Sequence, residues 1–115
     1  MKILMKALGF NAGDALHQHA VTRLGTALEH WEDRLEGAVV RIADANGPRG
    51  GVDKVCSIQI ALPHRAFVVV TAAASDYYAA VDLAIHRACR ATARAFGRLS
   101  QAKGRGVSWP LAAYE

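Results

Sequence analysis

The sequence predicts an α+β two-layer sandwich in the order β-α-β-β-β-α, a four-stranded sheet with two helices packed on one face. Three observations carry this reading. Residues 35–44, 53–62 and 66–72 are strand-length segments rich in Val, Ile and Ala, and only turn chemistry separates them. Residues 14–34 and 76–105 instead repeat their apolar positions at the helical period. Three consecutive strands with short connections form an antiparallel meander, so the two helices are left to cover one of its faces.

A chain of 115 residues is one domain, long enough to bury a core without disulfides or metals. Its boundaries are read as 1–103, with 104–115 a flexible tail that carries Trp109 and Tyr114. With 52% apolar and 21% charged residues, the composition is that of an ordinary globular protein. No apolar run reaches the ~18 residues of a membrane span. The opening Met1-Lys2-Ile3-Leu4-Met5-Lys6 is too soon interrupted for a signal peptide, which points to the cytoplasm. Cys56 and Cys89 make no metal or redox motif and read as buried thiols of a reducing compartment.

Taken in order, Lys2 to Leu8 reads as a short strand with Ile3, Met5 and Ala7 inward. Gly9 to Gly13 is turn chemistry, and Asp14 is placed to cap the first helix. That helix runs to about Arg34 with Leu16, Ala20, Leu24, Ala27, Leu28 and Trp31 as its apolar stripe. Gly25 weakens it, which suggests a close approach to another element. His17, His19 and His30 do not converge at a ligand spacing, so no metal is expected. The next strand puts Ala38, Val40 and Ile42 on one face. The loop Asn46-Gly47-Pro48-Arg49-Gly50-Gly51 lacks the spacing of a phosphate-cradling P-loop. Cys56, Ile58, Ile60 and Leu62 share a face of the third strand, Pro63-His64-Arg65 turns the chain, and the fourth strand is apolar on both sides.

The last helix carries the chemistry. Asp76 is a good N-cap. Val81, Ile85, Ala88, Thr92, Phe96 and Leu99 fall on one side at ~100° per residue, and Arg87, Arg90, Arg94 and Arg98 fall within about 80° on the opposite side. This arginine rail is about 16 Å long at ~1.5 Å per residue. Residues 1–82 have a net charge of −1 and residues 83–115 of +5, so the basic pI of about 9.4 belongs to this helix. A charge stripe is commonly no more than a solvated face. Here no acid is interleaved, and arginines at helical spacing repel one another. Guanidinium forks match phosphate oxygens, and an anionic partner offsets that repulsion. Tyr78 points toward the core side by its helix angle, and Asp76 and Asp82 read as helix-start residues suited to the macrodipole.

These strings resemble the ribosome hibernation-promoting and ribosome-associated inhibitor family. The resemblance rests on Asp76-x-Tyr78-Ala79-Ala80-Val81-Asp82 followed by Arg87 and Arg90. Asn46 through Cys56, and Asn11 through Asp14-Ala15-Leu16, match in the same order. It implies a β-α-β-β-β-α domain that binds the small ribosomal subunit, lies in the channel of messenger and transfer RNA, and blocks translation in resting cells. By position, Arg23 matches a family lysine, Arg87 a family Lys/Arg and Arg90 a family Arg, while Arg94 and Arg98 extend the stripe by geometry. His86 stands where the family commonly has an acid. Ribosome pairing through the second domain of the long family members is not implied.

The expectation is a non-catalytic, cytoplasmic stress or stationary-phase factor whose Arg87, Arg90, Arg94 and Arg98, helped by Arg23, Lys54 and Arg41, contact ribosomal RNA backbone. No cofactor, metal, membrane or small-molecule substrate is expected. No Ser/His/Asp or Cys/His set points to an enzyme. The alternative is a regulatory domain that forms a weak homodimer through the exposed sheet face of Phe67, Val69 and Val39.

Overall fold

A computed structural model describes residues 2–8, 13–44 and 54–105, with backbone alone for residues 7, 8 and 99–105. The elements are β1 (Lys2–Leu8), α1 (Asp14–Ala27), a 3₁₀ segment (Glu29–Arg34), β2 (Gly37–Asp44), β3 (Lys54–Ala61), a 3₁₀ turn (Pro63–Arg65), β4 (Phe67–Ala74) and α2 (Tyr77–Arg105). The sheet order is β1-β2-β3-β4. β1 pairs parallel with β2 across the α1 crossover, and the other pairs are antiparallel. The expected α+β sandwich is the fold.

Alternation along the strands sets the two faces. Ala38, Val40 and Ile42 of β2, Cys56, Ile58 and Ile60 of β3, and Val68, Val70 and Ala72 of β4 are buried beneath the helices. β1 follows, with Ile3 and Met5 packed on the core and Lys2, Leu4 and Lys6 exposed. Burying one such Val or Ile side chain contributes about 1.5–3 kcal/mol. From α1, Leu16, Ala20 and Leu24 enter this core. From α2 come Val81, Ile85, Ala88 and Thr92. The Thr92 hydroxyl has no hydrogen-bond partner there.

Four local expectations need correction. α1 ends at Ala27 rather than near Arg34. Leu28, fully buried, leaves helical geometry at φ −104° and ψ 7°, and the tighter 3₁₀ segment returns the chain so that Leu35 is also buried before β2. Asp14 does not cap: Gly13 is the N-cap residue, no side-chain bond is made there, and Asp14 contributes charge to the first turn. Gly25 makes no close approach, since nothing lies within 4 Å of where its Cβ would stand. Tyr78 is exposed, in a T-shaped contact with His19 at 4.8 Å between ring centroids, and it is Tyr77 that packs on the core.

Asp76 does cap α2: its Oδ2 accepts from the Ala79 amide at 3.0 Å. At the β3–β4 turn, His64 and Arg65 both take left-handed φ, 61° and 62°, and the Leu62 amide closes the loop onto the Ala66 carbonyl at 2.8 Å. The loop at residues 46–51, the turn at 9–12, and Trp109 and Tyr114 of the expected tail lie outside the described residues.

Candidate nucleic-acid interface

α2 is amphipathic in a way that composition only half reveals. Ala80, Ala84, Ala91 and Ala95 are buried together with Val81, Ile85, Ala88 and Thr92. These small side chains widen the buried arc on one flank, so the helix settles closely on the sheet. The rail is therefore not diametrically opposite the buried face. On ideal helix geometry its centre lies about 110° from the centre of that face. It runs along the flank beside β4.

Among the described residues β4 is an edge strand, and its outer backbone groups have no sheet partner there. Arg87 donates from Nη1 to the Thr71 carbonyl at 2.7 Å, which covers part of this edge. A guanidinium carries five N–H donors, so this bond leaves others directed outward. Arg87, Arg90 and Arg94 line a groove between α2 and β4 together with Leu83, His86, Val70 and Thr71. Arg98 is exposed one turn beyond Arg94. No acidic residue occurs in α2 after Asp82. The groove thus pairs an apolar floor with a line of forked cations. Guanidinium forks match phosphate oxygens, and their spacing along the helix suits several such groups in a row.

The remaining expected contacts lie elsewhere. Arg23, on α1, has its side chain 57% exposed and its Nε 3.1 Å from Asp82 Oδ1. The same carboxylate oxygen accepts from His19 Nε2 at 2.7 Å. Asp82 therefore ties α1 to α2, a role beyond complementing the helix dipole. Cys89 adds a weak bond from its Sγ to the Ala27 carbonyl at 3.5 Å. Arg41 stands on the opposite, helix-free face of the sheet, across from Lys6 and Ser57. Lys54 faces the helices. Its side chain is only 16% exposed, and its ammonium lies 3.2 Å from Asp44 Oδ2 and over the Tyr77 ring. The fold thus assembles Arg87, Arg90, Arg94 and Arg98 into one surface, places Arg23 and Arg41 apart from it, and commits Lys54 within the chain.

Leu83, His86 and the β4 edge are parts of the groove that the sequence reading did not select. His86 sits one helical turn before Arg90, and that spacing is a usable signal. The strand edge had none, because edge position depends on pairing. Among the described residues, no cluster of three or more His, Cys, Asp or Glu side chains could hold a metal ion, and no helix is long and apolar enough to cross a membrane.

Solved structures share this architecture. A ribosomal subunit interface protein from Coxiella burnetii superposes with a TM-score of 0.66 at 20% identity, over 90% of this chain and 99% of that one. The Thermus thermophilus Protein Y N-terminal domain superposes with a TM-score of 0.64 at 24% identity, over 78% and 93% respectively. At these identities the likeness shows the fold. No curated protein sequence matches the chain. The family model described as Sigma 54 modulation protein / S30EA ribosomal protein matches residues 3–100, and with most of its length accounted for the chain belongs to that ribosome-associated family.

Proposed function

We propose that this domain binds the small ribosomal subunit through ribosomal RNA backbone, occupies the channel of messenger and transfer RNA, and so holds translation off in resting or stressed cells. The observation that carries this reading is the groove of Arg87, Arg90 and Arg94 along the β4 edge, extended by Arg98. Membership in a ribosome-associated family and the shared fold support it. So does the likeness to a ribosomal subunit interface protein and to a Protein Y N-terminal domain. The domain works by occupancy rather than by catalysis, in the cytoplasm. Arg23 adds charge from α1, and Arg41 adds it from the far side of the sheet. Lys54 supports the fold through Asp44 and Tyr77.

The test reverses the groove's charge. Arg87→Glu/Arg90→Glu/Arg94→Glu should abolish co-sedimentation with small subunits at low salt, while circular dichroism and thermal melting remain those of a folded domain. All three side chains are exposed, so the core is untouched. A folded triple variant that sediments with subunits as the wild type does would refute the assignment.

A further inference from the structure

The helix-free face of the sheet carries a charge pattern of its own. The strand register sets Lys6, Arg41, Ser57 and Thr71 side by side in one row. The next row is Leu4, Val39, Gln59 and Val69, and the one after it is Lys2, Gly37, Ala61 and Phe67. Strand alternation turns all of these away from the helices, because their neighbours Val40, Ile58 and Val68 are buried beneath them. The three rows contain three cations and no carboxylate. Lys6 and Arg41 oppose each other across paired strands, and such like charges weaken a sheet unless an anion bridges them.

Beside this charge lies a shallow hollow. Gly37 and Ala61 form its floor, Leu4 and Val39 flank it, and Phe67 and Lys2 stand at its two ends. Gly37 keeps the floor low and the strands close: a Cβ there would meet the Lys2 carbonyl oxygen at 3.1 Å. Phe67 is 39% exposed and Leu4 51%, so the hollow has an aromatic wall open to solvent. The Gln59 amide also borders it and can read a base edge, and Glu36 is the one acidic lining residue.

Charge complementarity selects the occupant. Pairing of this face with a second copy by two-fold symmetry brings two sets of Lys2, Lys6 and Arg41 into one interface, with Glu36 the one carboxylate lining the hollow. An RNA strand supplies the missing anions. Its unstacked bases supply flat partners for an exposed aromatic on a sheet. We propose that the helix-free face is a second RNA-contacting surface, separate from the arginine groove, in which Lys2, Lys6 and Arg41 hold phosphates and the hollow beside Phe67 receives one unstacked base. The inference rests on the reading that RNA is the partner. It adds that the domain is gripped on both sides of its sheet.

The probe is a fluorescein-labelled, unstructured ten-nucleotide RNA, with binding read by anisotropy at low salt. Lys6→Glu/Arg41→Glu should weaken binding about tenfold or more, since each lost phosphate contact removes counterion release. Phe67→Ser should weaken it roughly 5- to 100-fold, the range for a base stacked on an aromatic. Both should melt as folded domains. If either does not, wild-type amide spectra decide: the RNA should shift Gly37, Ala61 and Phe67 as well as α2. Binding within twofold of wild type for both folded variants would overturn the proposal. So would shifts confined to α2, or a wild-type dimer that Phe67→Ser turns into a monomer. Failure here leaves the co-sedimentation result of the arginine variant standing, so the two readings fail separately.

Discussion

Cys56 shows what burial does to one ionisable side chain. It lies fully buried on β3, and removal from water disfavours the thiolate, which pushes its pKa up from 9.0 to about 12. The sign of the consequence follows. Below pH 9 the thiol is neutral in both folded and unfolded chains, and the contribution of Cys56 does not change with pH. Above pH 9 the unfolded chain ionises first, so stability falls until the folded thiol ionises near pH 12. The slope is about 1.4 kcal/mol per pH unit. Urea unfolding at pH 7 and pH 10.5 should therefore show Cys56→Ala losing about 2 kcal/mol less than wild type between the two pH values, other titrations being common to both. Equal losses would show that Cys56 ionises in the folded state as readily as in the unfolded chain. Asp82 makes a related point by a different route. Its bonds to His19 and Arg23 join residues some sixty positions apart, so no local pattern announces them.

At the scale of elements, α2 is set by three things: the Asp76 cap, the alanine-widened buried face and the run of arginines. The cap and the arginines were legible from residue type and spacing. The alanines were visible too, but alanine is a good helix former on any face, so its burial could not be read from propensity. That omission is why the rail was expected opposite the core and is found on the β4 flank. Gly97 sits exposed within the same helix, with nothing within 4 Å of an added Cβ. Gly97→Ala should stabilise the domain by up to about 1 kcal/mol, because alanine restricts the unfolded chain and fits the helix. A thermal melt checks this, and an unchanged or lower midpoint would show that the helix near Gly97 adds nothing to global stability. For α1, residue type and spacing mark the start but run past the end. Its apolar spacing continues through Leu28 and Trp31, and both do pack inward, but Leu28 does so from the junction after the helix and Trp31 from the 3₁₀ segment that follows.

For the whole molecule, the proposed grip on RNA is measured by how many phosphates it neutralises. If the groove takes three, the logarithm of ribosome affinity should fall with the logarithm of salt more steeply for wild type than for Arg87→Ala/Arg90→Ala/Arg94→Ala, by roughly 2 to 3 in slope. Lys54→Met should leave the slope as it is, because that ammonium is already paired with Asp44, and should instead lower the melting temperature. Sedimentation at several salt concentrations measures the slopes, and a thermal melt measures the stability. Equal slopes for wild type and the triple alanine variant would remove the arginines from the interface.

The element order, the buried faces of the strands and the basic character of the last helix are all legible in the residues alone. Each of these follows from a period or a composition that a short window contains. It takes the folded chain to show that β1 lies parallel at the sheet's edge, that the arginines flank the open edge of β4, that Lys54 is committed inside the chain, and that Lys6 and Arg41 meet on the far face. Those outcomes depend on which strands pair and how far a helix rolls on a sheet, and both are fixed by contacts between residues distant in the chain.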